Sequence, residues 1–205
     1  NNEVIAVSPR DLANSAKSLR QIGKNTNSTI LEIYKKMTNL HSSWQGQGYA
    51  NICKEFNKLV TDLNKVLKYM VKEVPYNLEL IANYFSNADE EGNVTTPNNE
   101  DYIGVTLLSP PADKSMKFIS TEVSNVKTDV INDIEKVKGY LNNFLSEFQK
   151  IKWNNSIALE FYKTFASLKS KLFDSFSTIE QKYNSFMNET ISAIAAVENA
   201  NMTFL

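Results

Sequence analysis

Two interleaved seven-residue series of apolar and small residues run through the first forty-four positions. Leu12, Leu19, Thr26, Ile33 and Leu40 form one; Ala16, Gly23, Ile30, Met37 and Trp44 form the other. A repeat of this kind keeps one seam of a long helix facing a partner, so it predicts an a/d-type packing edge over the whole element. The start is marked by Ser8-Pro9-Arg10-Asp11: a cap, a residue suited to the first helical position, and a negative charge in the first turn. The small residues Ala16, Gly23 and Thr26 predict close helix approach in the early half. The pattern stops at Ser42-Ser43-Trp44-Gln45-Gly46-Gln47-Gly48 and resumes with Tyr49, Ile52, Phe56, Leu59, Leu63 and Met70. A stop and immediate restart predicts a reversal, with Gly46 supplying φ > 0 and Trp44 plugging the end of the hairpin. The second arm is expected to run to about Phe85, with a kink at Pro75 because proline lacks the backbone donor.

Residues 87–111 lose all periodicity and are rich in Asn, Thr, Asp and Pro, which predicts a linker whose later part, Tyr102 to Leu108, lies extended against the helices. The pattern then repeats. Val105-Thr106-Leu107-Leu108-Ser109-Pro110 echoes Val4-Ile5-Ala6-Val7-Ser8-Pro9, and Met116, Val123, Val130, Val137, Phe144 and Ile151 keep seven-residue spacing. Trp153-Asn154-Asn155 stands where the first half has Trp44-Gln45-Gly46. Asn155 is read as the residue tolerant of φ > 0. Ala158, Phe161, Phe165, Leu168, Leu172, Phe176 and Ile179 then sit at the same distances from Trp153 as their counterparts from Trp44. Matching starts, turns and spacing indicate a duplication, with the second hairpin's first arm about one heptad longer. The expectation is an all-α chain: a first hairpin over 1–86, a linker over 87–111 and a second, degenerate hairpin over 112–205. The two antiparallel hairpins should form a four-helix bundle with pseudo-two-fold symmetry, like a fused dimer and hence monomeric.

A Trp-x-Gly turn at the midpoint of a helical hairpin of about ninety residues resembles the WXG family. These are small helical-hairpin substrates of type VII secretion in Gram-positive bacteria and mycobacteria. The resemblance covers nearly the whole chain as two hairpins. It implies an exported, non-enzymatic interaction protein whose partners are components of the secretion machinery, another WXG-like protein or a toxin. It also implies that Trp44 and Gly46, with Trp153 and Asn155 as the degenerate pair, mark the hinges. The family's tail motif is Tyr-x-x-x-Asp/Glu, a recognition element for export. Here the nearest match is Tyr84, with the acid one residue late at Asp89, and no Tyr follows Val197.

Composition narrows the alternatives. A net charge of −1 provides no basic surface for a nucleic acid, so none is expected as a partner. The first residues carry no apolar run of signal-peptide length, so export is expected without a cleaved signal peptide, from a cytoplasmic precursor. His41 is the only histidine and Cys53 the only cysteine; neither belongs to a metal or nucleophile pattern, and no catalytic residue, metal or cofactor is expected. Cys53 is read as a thiol flanking the core, with an intermolecular disulfide as the alternative. The lysines at 54, 58, 65, 68 and 72 read as a solvated helix face, with contact to anionic lipid or an acidic partner as the alternative. Two further functions stand beside the first. The Phe-rich fourth helix allows a membrane-active protein that opens and inserts, and the hairpin form allows a cytoplasmic adaptor or chaperone for a larger type VII toxin.

Overall fold

The computed structural model describes residues 8–153 and 155–203. Residues 4–7 of the repeat, Asn154 of the second turn and the last two residues of the tail lie outside them. The chain is mostly helical, with one pair of two-residue strands among the described residues. Helix α1 (Pro9–Asn39) begins as its residues dictate: the Ser8 hydroxyl accepts the Asp11 amide at 3.1 Å, and Pro9 opens the first turn. All ten seam positions of the first arm, Leu12 through Trp44, are buried. The chain reverses through a short 3₁₀ turn (Leu40–Ser42), strand β1 (Trp44–Gln45) and Gly46.

The returning arm is four pieces: α2 (Gln47–Asn57), α3 (Val60–Leu67), a π-helical turn (Lys68–Glu73) and α4 (Val74–Ala88). Each interruption has a cause. Buried Tyr34 donates its hydroxyl to the Phe56 carbonyl at 2.5 Å, and the Leu59 amide reaches the same carbonyl at 3.1 Å. A side chain inserted into the ladder in this way opens a helix. The π turn directly precedes Pro75, and there the Val74 amide reaches back five residues to the Tyr69 carbonyl. The wider turn absorbs the donor that proline lacks, so the arm passes into α4 without ending. Gly23 shows why the early half of α1 is small. A Cβ there would come within 2.7 Å of the Met70 backbone carbonyl.

Residues 89–119 form an extended strap, described below. It contains β2 (Lys117–Phe118), which pairs antiparallel with β1, placing Trp44 opposite Phe118 and Gln45 opposite Lys117. Helix α5 (Ser120–Lys150) and helix α6 (Ser156–Thr203) follow. Helix α5 starts well after Ser109-Pro110, so Met116 and Ile119 precede the helix instead of opening its seam. Both first arms are 31 residues long; the extra heptad expected from the Ser-Pro echo belongs to the strap. From Val123 onward the seam is buried as its spacing predicts: Val123, Val130, Val137, Phe144 and Ile151 are all in the core.

Helix α1 lies against α4 and α5, while α2 and α3 lie against α6. Lys36 pairs with Asp133 at 2.5 Å and Ser43 bonds Glu122, so α1 and α5 run antiparallel. Tyr69 stacks edge-on with Phe161, and Lys171 pairs with Asp62 at 3.0 Å, so α6 runs antiparallel to the returning arm.

Candidate functional site: the Trp44 turn and its cover

Gly46 adopts φ 117 and ψ −162, a region open essentially only to glycine. That geometry lets strand β1 end and α2 begin within one residue. The Trp44 indole is fully buried. Its Nε1 donates to Thr190 Oγ1 at 3.2 Å, and its ring meets Phe118 and Tyr183 edge-on at 5.8 and 5.5 Å. Gly48 completes the fit, because a Cβ there would strike both Thr190 Oγ1 and the indole. The turn is therefore closed by α6 on one side and by the strap on the other. Tyr183 holds its own place by donating to the Val123 carbonyl at 2.8 Å.

The strap fastens the turn through a carboxylate. Asp113 accepts the Gly46 amide at 2.9 Å and lies 2.9 and 3.1 Å from His41 Nε2. The hydrogen bond from His41, and then that from Gly46, hold its carboxyl below the usual carboxylate value. The Ile119 amide donates to the Ser43 carbonyl at 2.9 Å, tying the start of α5 to the same turn. Beside it lies a pocket of about 200 Å³ lined by Gln45, Gly48, Met116, Glu189, Thr190 and Ala193.

The buried titratable groups nearby are fixed as donors or core atoms. Tyr49 donates to the Met37 carbonyl at 2.9 Å, and burial raises its phenol above the ordinary value. Cys53 is fully buried and burial pushes its thiol up to about 11. A thiol so placed is neither a nucleophile nor accessible to a disulfide partner. Among the described residues no group of acids, His and Cys could hold a metal ion, and no helix is long and apolar enough to cross a membrane.

The second turn is built differently. Among the described residues of that turn Lys152 is left-handed, at φ 54, and Asn155 is not. Asn155 acts through its side chain, accepting the Ala158 amide at 2.7 Å as an opening cap for α6. Trp153 is half-buried against Phe148 at 6.3 Å. Tyr84 is 70% exposed, with its ring against Phe85. Helix α4 continues through Ala88 with Asp89 as the cap that follows it, so the helix does not break after Phe85, and a five-residue separation carries Asp89 more than a quarter turn away from Tyr84.

Sequence reasoning named Trp44 and Gly46 but missed Thr190, Asp113, Phe118 and Glu122. Nothing in a one-dimensional pattern distinguishes these four from ordinary helix and linker residues. Comparison of the chain with protein-family models, with curated proteins and with solved structures gives no match.

Proposed function

We propose that the chain is a tandem helical-hairpin protein of the WXG kind, exported through a type VII system as a non-enzymatic interaction protein. In this reading its hairpins close on one another as a single-chain, pseudo-symmetric four-helix bundle. Such a chain is monomeric, because each hairpin covers the other's seam. The observation that carries the reading is the pairing of the Trp44 turn of one hairpin with Thr190 and Tyr183 of the other. A WXG hairpin obtains that neighbour from a second subunit, whereas this chain supplies it from itself.

Export is tested by immunodetection in culture supernatant against a lysis control. Removing the residues after Val197 should impair secretion more than Tyr84→Ala, because α6 passes the intact turn while Tyr84 and Asp89 face apart. Normal secretion of the truncation with loss for Tyr84→Ala would move the signal to the strap end of α4. Retention of the whole chain in cells with a working secretion system favours the adaptor reading. The membrane-active reading requires opening of the fold, since Phe165 and Phe176 are buried. Absence of dye release from anionic liposomes at high protein concentration removes it. Sedimentation at micromolar concentration should give the monomer mass, and a stable dimer counts against self-closure.

A further inference from the structure

The strap is gripped through its backbone. Asn64 Oδ1 accepts the Val105 amide at 2.8 Å while its Nδ2 donates to the Val105 carbonyl at 2.9 Å. Asn57 does the same for Leu108, at 2.7 and 2.9 Å. Asn83 accepts the Val94 and Thr95 amides and donates to the Thr95 carbonyl, and Asn27 of α1 donates to the Ile103 carbonyl at 2.7 Å. Each two-point contact imitates the pairing of a neighbouring strand. The register is commensurate. From Asn83 to Asn57 the helices rise about 39 Å at 1.5 Å per residue, and residues 95 to 108 span about 40 Å at about 3.1 Å per extended residue.

The contacts also select side chains. Val105 is 4% exposed. A Cβ on Gly104 would lie 2.7 Å from Asn64 Oδ1, so the backbone lies flat only if that position is glycine. Tyr102 donates to the Asn64 carbonyl at 3.1 Å. Glu100 and Asp101 meet Lys24 and Lys72 at 3.0 and 2.6 Å. Upstream, the buried pair of Arg20 and Glu79 takes the Asn98 carbonyl and amide. The groove thus fits an extended segment ordered acid, acid, Tyr, any residue, Gly, β-branched residue. The strap enters it through a turn at residues 89–93 in which Glu90 (φ 63) and Gly92 (φ 77) are both left-handed. Opening that turn relieves the left-handed Glu90 and breaks the bonds that tie it to the end of α4, from Ser86 to the Gly92 carbonyl and from the Glu90 and Glu91 amides, while the contacts from Val94 onward stay intact.

We propose that the Asn-lined groove of the first hairpin is a peptide-recognition site in its own right, and that the same segment of a second copy of this chain fits it by exchange. The proposal is independent of the export reading. At micromolar concentration the tethered strap prevails, because a short linker holds it at an effective concentration of about 1 mM. Exchange therefore becomes visible when the tethered pairing is disabled.

The test mixes two full-length variants. One keeps the groove and carries Val105→Asp; the other keeps the strap and carries Asn57→Ala with Asn64→Ala. Each alone should sediment as a monomer, and the mixture should form a 1:1 dimer, since the vacant groove of one meets the intact strap of the other. A mixture that stays monomeric while both variants retain helical circular dichroism overturns the proposal. If Val105→Asp loses helicity, a synthetic peptide copying residues 98–109 is added to it. Recovery of helicity by that peptide, at least tenfold weaker with Gly104→Val in the peptide, supports the site; no recovery, or equal recovery by both peptides, overturns it.

Discussion

At Trp44 the chain reverses through a glycine-only conformation and is enclosed by Phe118, Tyr183 and Thr190. At Trp153 it reverses through left-handed Lys152, and the Trp ring lies half-buried against Phe148 of its own hairpin. Trp44 is thus a fully buried keystone between α6 and the strap, whereas Trp153 is partly exposed and rests on the helix that precedes it. The strap makes the difference. It runs from the tip of α4 to the first turn, where it contributes Asp113 and the strand that pairs with Trp44. A turn motif alone therefore does not determine what its Trp does; the segments that reach it do.

The largest expected effect separates the two Trp residues. Trp44→Ala leaves a cavity among fixed aromatic neighbours and should cost about 3–5 kcal/mol in urea unfolding, the usual range for a buried large-to-small change. Trp153→Ala removes a ring that is already partly exposed and should cost about 1–2 kcal/mol. Equal losses would mean that both turns are enclosed to the same degree.

The backbone comparison comes next, with opposite signs. Gly46→Ala forces a Cβ into the glycine-only region and should destabilise by about 1–3 kcal/mol. Lys152→Gly removes a left-handed side-chain penalty and should stabilise by about 0.5–1 kcal/mol, after allowance for the extra freedom of the unfolded chain. Thermal midpoints measured side by side decide it; a shift of the same sign in both variants would show that the two turns share one backbone solution.

Much of this was legible from spacing. The seam from Leu12 to Trp44 is buried at every position because a seven-residue period leaves few ways to face a partner. Gly23 was legible as a close approach, and Pro75 as an interruption that does not end the arm. The extended course of Tyr102 to Leu108 followed from β-branched residues without helical period. What failed was local and tertiary in origin. The opening in the second arm near Phe56 depends on the Tyr34 hydroxyl, twenty-two residues away. The start of α5 was misplaced because Asp113 and Lys117-Phe118 are held straight by the first turn, against a periodicity at Met116 that would otherwise read as helix. The cover of Trp44 by Thr190 joins residues 146 apart, which a single chain's pattern does not encode.

Thr190 offers a smaller test of that cover. Thr190→Val keeps the shape and removes the acceptor, leaving the buried indole N–H unpaired. The expected loss is about 1–2 kcal/mol. The matching change at the second turn, Asn155→Ala, removes a helix cap and should cost about 1 kcal/mol. Adding Trp44→Phe to each background sharpens the comparison. The indole N–H is then absent, so Thr190→Val should become nearly neutral while Asn155→Ala keeps its full effect. A Thr190→Val loss that persists in the Trp44→Phe background would show that the hydroxyl acts through its bond to the Phe186 carbonyl and not through the Trp.

The smallest expected effect is a pH dependence confined to the first turn. Asp113 is held below its ordinary value of 3.8, first by the His41 hydrogen bond and also by the Gly46 amide. A carboxylate depressed in the folded state binds fewer protons there than in the unfolded state. Its contribution is therefore fully present above the unfolded value and is lost as pH falls through the folded one. Wild-type stability should decline on the acid side of about pH 4 more steeply than that of Asp113→Asn, which keeps polar contacts to His41 and Gly46 but cannot titrate. The measurement is the urea midpoint at a series of pH values for both proteins. Lys152→Gly, at the other turn, should leave the wild-type slope intact. Parallel curves for wild type and Asp113→Asn would show that the strap's hold on the Trp44 turn does not depend on charge.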